Sequence, residues 1–434
     1  MDGYGDPMRD QEPAPMDAER RLSTKEAAEL LGVKPETVYA YVSRGQLSSR
    51  RVSGGRGSTF DAGEVEALAR RNRRDSSGGS GSGGPGGGNP GGELSVRTRL
   101  TLIESDRYFF RGVDAVDLAD RHTYEEVAEW LWTGRMLPGS TFTAPAAFVS
   151  VARRAVEALP EHAAPADLLR VATVAAATAD PLRFDLSEDA VLGTARTLIP
   201  TLVAALPPAG HHRRDEGPMA HRLWTRLSVH KDPDEASLRA LDAALALLVD
   251  HDLAASTLAV RVAASARAHP YAAVSAGLGV IEGPLHGAAS GLAHRLLQDV
   301  LEQGDAAPVI ADELRAGRRV PGLGHRLYPG EDPRARALFA LLEQIPRAEP
   351  ALLAARDIVE TTARHAPLHA NVDLALAVLT VSSGMAPTAG ETIFAVARTA
   401  GWIAHALEEY GERPLRMRPS GLYAGPRPPQ PLPE

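Results

Sequence analysis

Gly283-Pro284-Leu285-His286-Gly287, Gly322-Leu323-Gly324-His325-Arg326 and Asn371-Val372-Asp373 occur in that order along the chain. Each run reads as a backbone turn and not as a helix interior. Two histidines and an aspartate on rigid turns supply what acid/base chemistry at a carbon centre needs: proton donors, and a carboxylate base opposite them. A lone Gly-Leu-Gly-His carries little weight. Three such runs in this order carry a good deal.

Composition sets the frame. At 434 residues the chain is long enough for two or three domains with a large core. It contains no cysteine, which excludes a disulfide framework and any thiolate metal site. No apolar run follows a basic start, so no secretory signal is expected. No uncharged stretch of membrane-spanning length is seen either. The expected location is cytoplasmic. Alanine is abundant and aromatic residues make up only 5%, which favours packed helices over a β-sandwich.

Charge is unevenly spread. Residues 20–74 hold about 12 basic against about 6 acidic side chains, whereas the whole chain carries −8. A small basic module therefore precedes an acidic body. Between them lies Ser76 to Gly92, SSGGSGSGGPGGGNPGG, a Gly/Ser linker that cannot fold alone. Flexible-chain scaling gives it a span of roughly 20–25 Å. The expected organisation is 1–19 disordered, acidic and proline-containing; 20–74 a small basic module; 75–93 linker; 94–426 the main body; and 427–434 a proline-rich tail.

The module reads as a winged helix-turn-helix. Ser23 to Glu26 forms a capping box ahead of a helix marked by Ala27, Ala28, Leu30 and Leu31 and stopped by Gly32. Pro35 opens a second helix with Val38 and Val42 inward, ended by Gly45. Arg50 to Ser58 mixes basic and small residues, as a hairpin wing against phosphate would. Asp61 and Glu64 open a third helix ending in Arg70-Arg71. These fifty residues resemble the DNA-binding domains of excisionases and mercury-resistance-type regulators. The resemblance implies that the second helix enters the major groove with Thr37, Tyr41 and Arg44 exposed, while Arg50, Arg51 and Arg56 grip phosphates. The plainer alternative is a protein-contact module with a solvated basic face.

In the body, Leu94 to Thr101 alternates as a strand and Asp106 to Gly112 suggests its return. Helical spacing then dominates. Thr123 and Glu126 cap one helix whose apolar face is Val127, Leu131 and Trp132; further helices are expected at 238–249, 253–268 and 391–410.

Removing a proton from carbon next to a thioester requires a carboxylate base and a donor to the carbonyl oxygen. Attack on a ketone requires a second donor, and a dicarboxylate requires arginines. The three runs resemble the catalytic stretches of citrate synthase, a likeness that covers essentially the whole body. It implies a mainly α fold with a large helical domain and a small one that closes over substrate. It also implies condensation of acetyl-CoA with oxaloacetate to citrate, with acetyl-CoA as co-substrate, no separate cofactor and no metal. Asp373 would be the base, His286 the donor to the thioester carbonyl, and His325 the donor to the ketone. His251, Arg334 and Arg398 would hold oxaloacetate. Arg418, in Arg418-Pro419-Ser420-Gly421-Leu422-Tyr423, would come from a neighbouring subunit, which makes the active unit at least a dimer. Coenzyme A would lie over the turn containing Gly322 and Gly324, with Arg319 or Arg318 near a phosphate.

Departures from the family pattern cluster beside these groups: Leu248 where a histidine is usual, Asp252 for Glu or Gly, and Ala254 and Ser290 for Asn. Such changes either loosen the histidines or retune the acyl group, for example toward propionyl-CoA and 2-methylcitrate. The other class of function is a DNA-binding regulator whose body senses oxaloacetate, citrate or an acyl-CoA. Among the remaining polar residues, His294 and Arg295 read as a solvated face, and His211-His212 with Arg213-Arg214 as a polar loop. Two arginines beside Asp215 argue against a metal there. Arg336 reads as structural or phosphate-facing.

Overall fold

The structure is a computed structural model. It describes residues 21–31, 33, 37–38, 41–42, 47–51, 58–66 and 68, then 96–211, 213–283, 286–287, 289–419, 423–427, 429–430 and 432. The chain divides into two compact units, Met1–Asn89 and Pro90–Glu434. The expectations for residues 1–19, the linker and the side chains of Arg44, Arg50, Arg51 and Arg56 lie outside the described residues, as do Arg70 and Arg71.

The first unit is a three-stranded sheet with helices on it. Ser58–Asp61 is its central strand, paired antiparallel with Arg21–Ser23 on one side and Ser49–Arg51 on the other. The pairing of Arg50 with Thr59 and Arg51 with Ser58 makes the expected wing hairpin. The Ser23 capping box forms: Glu26 Oε2 accepts the Ser23 N–H at 2.8 Å, and the Ser23 hydroxyl accepts the Glu26 N–H. The helix it caps, Thr24–Leu31, buries Ala27, Ala28 and Leu31 around Phe60, Val38 and Val65. Thr37 is exposed. Tyr41 is half-buried and packs on the core beside Val42. An amphipathic ring gains more by covering Val38 and its neighbours than by standing in water.

The second unit opens with a small antiparallel sheet of Thr101–Glu104, Arg107–Phe110 and Val113–Asp114. Among the described residues the first strand of this unit begins at Thr101, with none at 96–100; residues 94–95 of the expected strand lie outside the described residues. Beyond the Thr101–Phe110 pair the Arg111 N–H still bonds the Leu100 carbonyl at 2.7 Å, and Arg111 and Gly112 then take positive φ and turn the partner away. Helices follow almost without interruption. The capping box of Thr123 with Glu126 starts Tyr124–Thr133, and Gly134, at φ 70°, ends it in the left-handed conformation. The expected later helices appear at Glu235–Leu248, Ala255–Ser265 and Ala389–Tyr410. The last of these is central: seventeen of its twenty-two residues are buried, with Trp402 completely so. Small residues let neighbours approach it closely. A Cβ on Gly277 would come within 2.8 Å of the Trp402 ring, and one on Gly401 would collide with the Val249 carbonyl.

His294 is fully buried and not on a solvated face. It shares the inward stripe of helix Ala289–Gln303 with Ser290 and Leu297, and its Nδ1 meets the Thr380 hydroxyl at 2.8 Å. Arg295, one residue on, is exposed. Asp215 takes guanidinium contacts from Arg153, Arg213 and Arg226. Among the described residues no helix is long and apolar enough to cross a membrane.

Candidate active site

Turns at helix ends bring the singled-out residues together. A cavity of about 790 Å³ is lined by His251, His286, His325, Arg334, Asp373 and Arg398, with Gly324, Arg326 and Phe394. His286 follows helix Pro270–Ile281. The His286 N–H bonds the Gly283 carbonyl at 2.9 Å, and Gly287 folds back onto the Ile281 carbonyl. A Cβ at Gly287 would lie 2.2 Å from that carbonyl oxygen, so only glycine allows this turn. The Gly322–His325 turn is also built on glycine, with φ of 80° at Gly322 and 76° at Gly324. Its backbone is laced to the start of the helix Val372–Ser382: the Asn371 N–H bonds the Gly322 carbonyl, and the Gly324 N–H bonds the His369 carbonyl. Asn371 caps that helix, and Asp373 stands in its first turn.

Asp373 is half-buried, and burial raises its carboxyl to about 6 against the partial opposition of Arg334. It is therefore poised close to neutrality, where a general base is most useful. The histidines are kept neutral. Burial pushes His325 down to about 4, reinforced by Arg334. His251 is driven well below its usual value by burial and then by Arg334 and Arg398, and His286 is lowered by burial and Arg398.

A neighbouring donor fixes one tautomer. His325 Nδ1 accepts the Leu327 N–H at 3.2 Å, which leaves its proton on Nε2. His286 Nε2 lies 2.8 Å from the Ser256 hydroxyl, which itself accepts from Trp402 Nε1 at 3.3 Å.

The arginines are held from behind. Asp332 caps the helix Pro333–Leu342 and grips Arg334 at Nε (3.0 Å) and Nη2 (2.8 Å). Burial opposes ionisation of Asp332, but Arg334 keeps its carboxyl below the usual range, and Asp332 in turn raises Arg334. Arg398 donates Nε to the Leu248 carbonyl at 2.9 Å and lies over the Phe394 ring. Tyr328, which no sequence signal singled out, bonds His251 Nε2 at 2.7 Å. Asp332 and Asn371 did leave a signal, as cap residues directly before a helix.

The remaining singled-out residues lie elsewhere. Arg418 and Arg319 are exposed and do not line the cavity. Gly322 is buried, and a Cβ on it would lie 2.9 Å from the Leu374 side chain. Ala254 begins the helix Ala255–Ser265 with no side-chain cap, and the buried Ser290 hydroxyl has no partner among the described residues.

A mainly helical fold with three neutral histidines, a poised aspartate and two buried arginines around one cavity defines a class, and comparison with known proteins identifies it. Residues 91–420 match the family model for the citrate synthase C-terminal domain, and the chain belongs to the citrate synthase family. Residues 21–73 match a helix-turn-helix domain. The citrate synthase of Haloferax volcanii is 30% identical over 362 residues, covering 77% of this chain and 94% of that protein. The putative citrate synthase 2 of Mycobacterium tuberculosis is 36% identical over 205 residues, 46% of this chain, and the match spans only 55% of that protein's length. The Thermoplasma acidophilum citrate synthase, solved as a ternary complex with carboxymethyl coenzyme A and oxaloacetate, shares the fold with a TM-score of 0.63 at 21% identity, covering 78% of this chain and 96% of that one.

Proposed function

We propose that the body condenses acetyl-CoA with oxaloacetate and water to give citrate and CoA. The carrying observation is the convergence of Asp373, His286, His325 and two buried arginines on one cavity. In this reading Asp373 removes a proton from the acetyl methyl while the His286 ring N–H hydrogen-bonds the thioester oxygen as enol character develops. The enol carbon attacks the ketone of oxaloacetate, whose oxygen receives the His325 Nε2 proton. Water then cleaves the citryl thioester. Arg334, Arg398 and His251 hold the dicarboxylate, and Arg418 joins from a second copy in a homodimer. Neutral histidines suit these roles, because a donor that is not already cationic does not repel the arginines around it.

The test is release of free CoA from acetyl-CoA, followed with a thiol reagent that the cysteine-free protein itself cannot consume. Release that requires oxaloacetate and disappears in His286→Ala supports the reading; oxaloacetate-independent release, or none, overturns it. Repeating the assay with propionyl-CoA ranks the acyl groups. A second reading rests on the N-terminal match: the helix-turn-helix unit binds DNA, with Thr37, Tyr41 and Arg44 toward the major groove and Arg50, Arg51 and Arg56 toward phosphate, and the body acts as a ligand sensor in the cytoplasm. Salt-dependent retardation of duplex DNA by the full chain, relieved by Arg50→Ala/Arg51→Ala, supports it.

A further inference from the structure

One stripe of the helix Ala389–Tyr410 runs beneath the cavity and holds the segment that carries His251. Arg398 bonds the Leu248 carbonyl, Gly401 lets the helix press against the Val249 carbonyl, and His405 faces Asp250. These three side chains are spaced three and four residues apart and so share a face. Asp250 is wholly buried beside His251. Its carboxylate takes a hydrogen bond from the Thr101 hydroxyl and lies 3.2 Å through each oxygen from His405 Nε2. On the far side of the imidazole, Arg261 Nη1 reaches His405 Nδ1 at 2.9 Å. A guanidinium only donates, so Nδ1 must accept and the ring proton must sit on Nε2, aimed at Asp250. Arg261 is itself buried between Glu408 and Glu409, and Arg416 closes on Glu409 with two bonds. Donation therefore runs outward from Arg261, to the Glu408/Glu409 pair on one side and through His405 to Asp250 on the other.

We propose that Asp250 and His405 are positioning residues for the dicarboxylate end of the cavity, with Asp250 serving as the buried counter-charge of Arg398 and as the anchor of His251, and Arg261 fixing the hydrogen-bond direction that holds it. This rests on the oxaloacetate-binding reading given above. None of the three touches the position where a thioester would be enolised. Their effect is on where His251 and Arg398 stand, and so on the grip on one substrate only.

The experiment is steady-state kinetics on the full chain with His405→Leu, His405→Gln and Thr101→Val, each with a melting curve. His405→Leu removes a donor from a buried carboxylate and is expected to raise the KM for oxaloacetate roughly tenfold or more, with the KM for acetyl-CoA unchanged and kcat much less affected. His405→Gln retains an N–H for Asp250 and is expected to recover part of the loss. If His405→Leu does not fold, Thr101→Val removes the other side-chain donor at almost constant volume and is expected to shift the same KM by a few-fold. Folded variants with wild-type KM for oxaloacetate overturn the proposal. So does an equal loss on both substrates without rescue by Gln, which marks a merely structural contact. Should the wild-type chain show no turnover, the synthase reading fails by itself, and the same variants are compared by calorimetric oxaloacetate affinity. An unchanged or undetectable affinity there overturns the positioning role as well.

Discussion

The side chain of Asn371 is bonded to Gly324: its Nδ2 donates to the Gly324 carbonyl at 2.9 Å. Its Oδ1 accepts the Asp373 N–H, also at 2.9 Å. One amide thus ties the turn that presents His325 to the helix that presents the carboxylate. Asn371→Ala removes both links and a helix cap. The cap alone is worth about 1 kcal/mol of stability. Because the loss falls on mutual geometry, kcat is expected to drop about ten- to hundredfold while either KM changes less. A variant with wild-type kcat would show that the two turns hold their places without Asn371.

Asp373→Asn separates stability from activity. Burial raises the folded carboxyl from 3.8 to about 6. Its folded value lies above its unfolded one, so the stabilising form is the protonated one. That contribution is complete below about pH 4 and is lost as pH rises through about 6. Above pH 7 the ionised group costs the fold about 1–3 kcal/mol. The amide variant is therefore expected to be more stable than wild type at pH 8 in urea denaturation, and no more stable at pH 4, while turnover is lost. In the wild type, kcat/KM is expected to fall as pH drops through about 6, because the base must be ionised. A flat profile from pH 5 to 8 would remove Asp373 from that role.

What the sequence disclosed was what is local. Thr123 with Glu126 and Ser23 with Glu26 announce their helices because the capping partners are three residues apart. The glycines around His286 and His325 mark turns for the same reason. The contacts that the sequence hid join distant segments. Asp250 and His405 stand 155 residues apart, and Tyr328 reaches His251 across 77. His294 read as solvated because a polar residue before Arg295 has no local sign of burial; the packing of the helix Val372–Ser382 decides it. The strand expected before Thr101 alternates correctly but lacks a partner once Gly112 turns the chain, and a strand is made by its partner.

Ala254 gives a test in the stabilising direction. It starts the helix Ala255–Ser265 with extended backbone angles and no side-chain acceptor for the first free N–H groups. Ala254→Asn supplies one and is expected to raise stability by about 0.5–1 kcal/mol, seen as a higher urea midpoint at unchanged slope. An unchanged midpoint would show that the N–H groups at this cavity wall are already satisfied by water.

Arg418 is exposed on its own subunit and absent from the cavity lining. If a partner contributes it, activity must be recoverable from two dead proteins. Asp373→Ala and Arg418→Ala are each expected to lose turnover as homodimers. Mixed, unfolded and refolded together, they form heterodimers in which one of the two sites has Asp373 from the Arg418→Ala subunit and Arg418 from the Asp373→Ala subunit. Random pairing makes about half of the dimers mixed, with one intact site in two, so about a quarter of wild-type activity is expected to return. If Arg418 instead served its own subunit, the mixed dimer would hold one site lacking Asp373 and one lacking Arg418, and no activity would return. The refolding mixture therefore distinguishes the two arrangements without any knowledge of the interface.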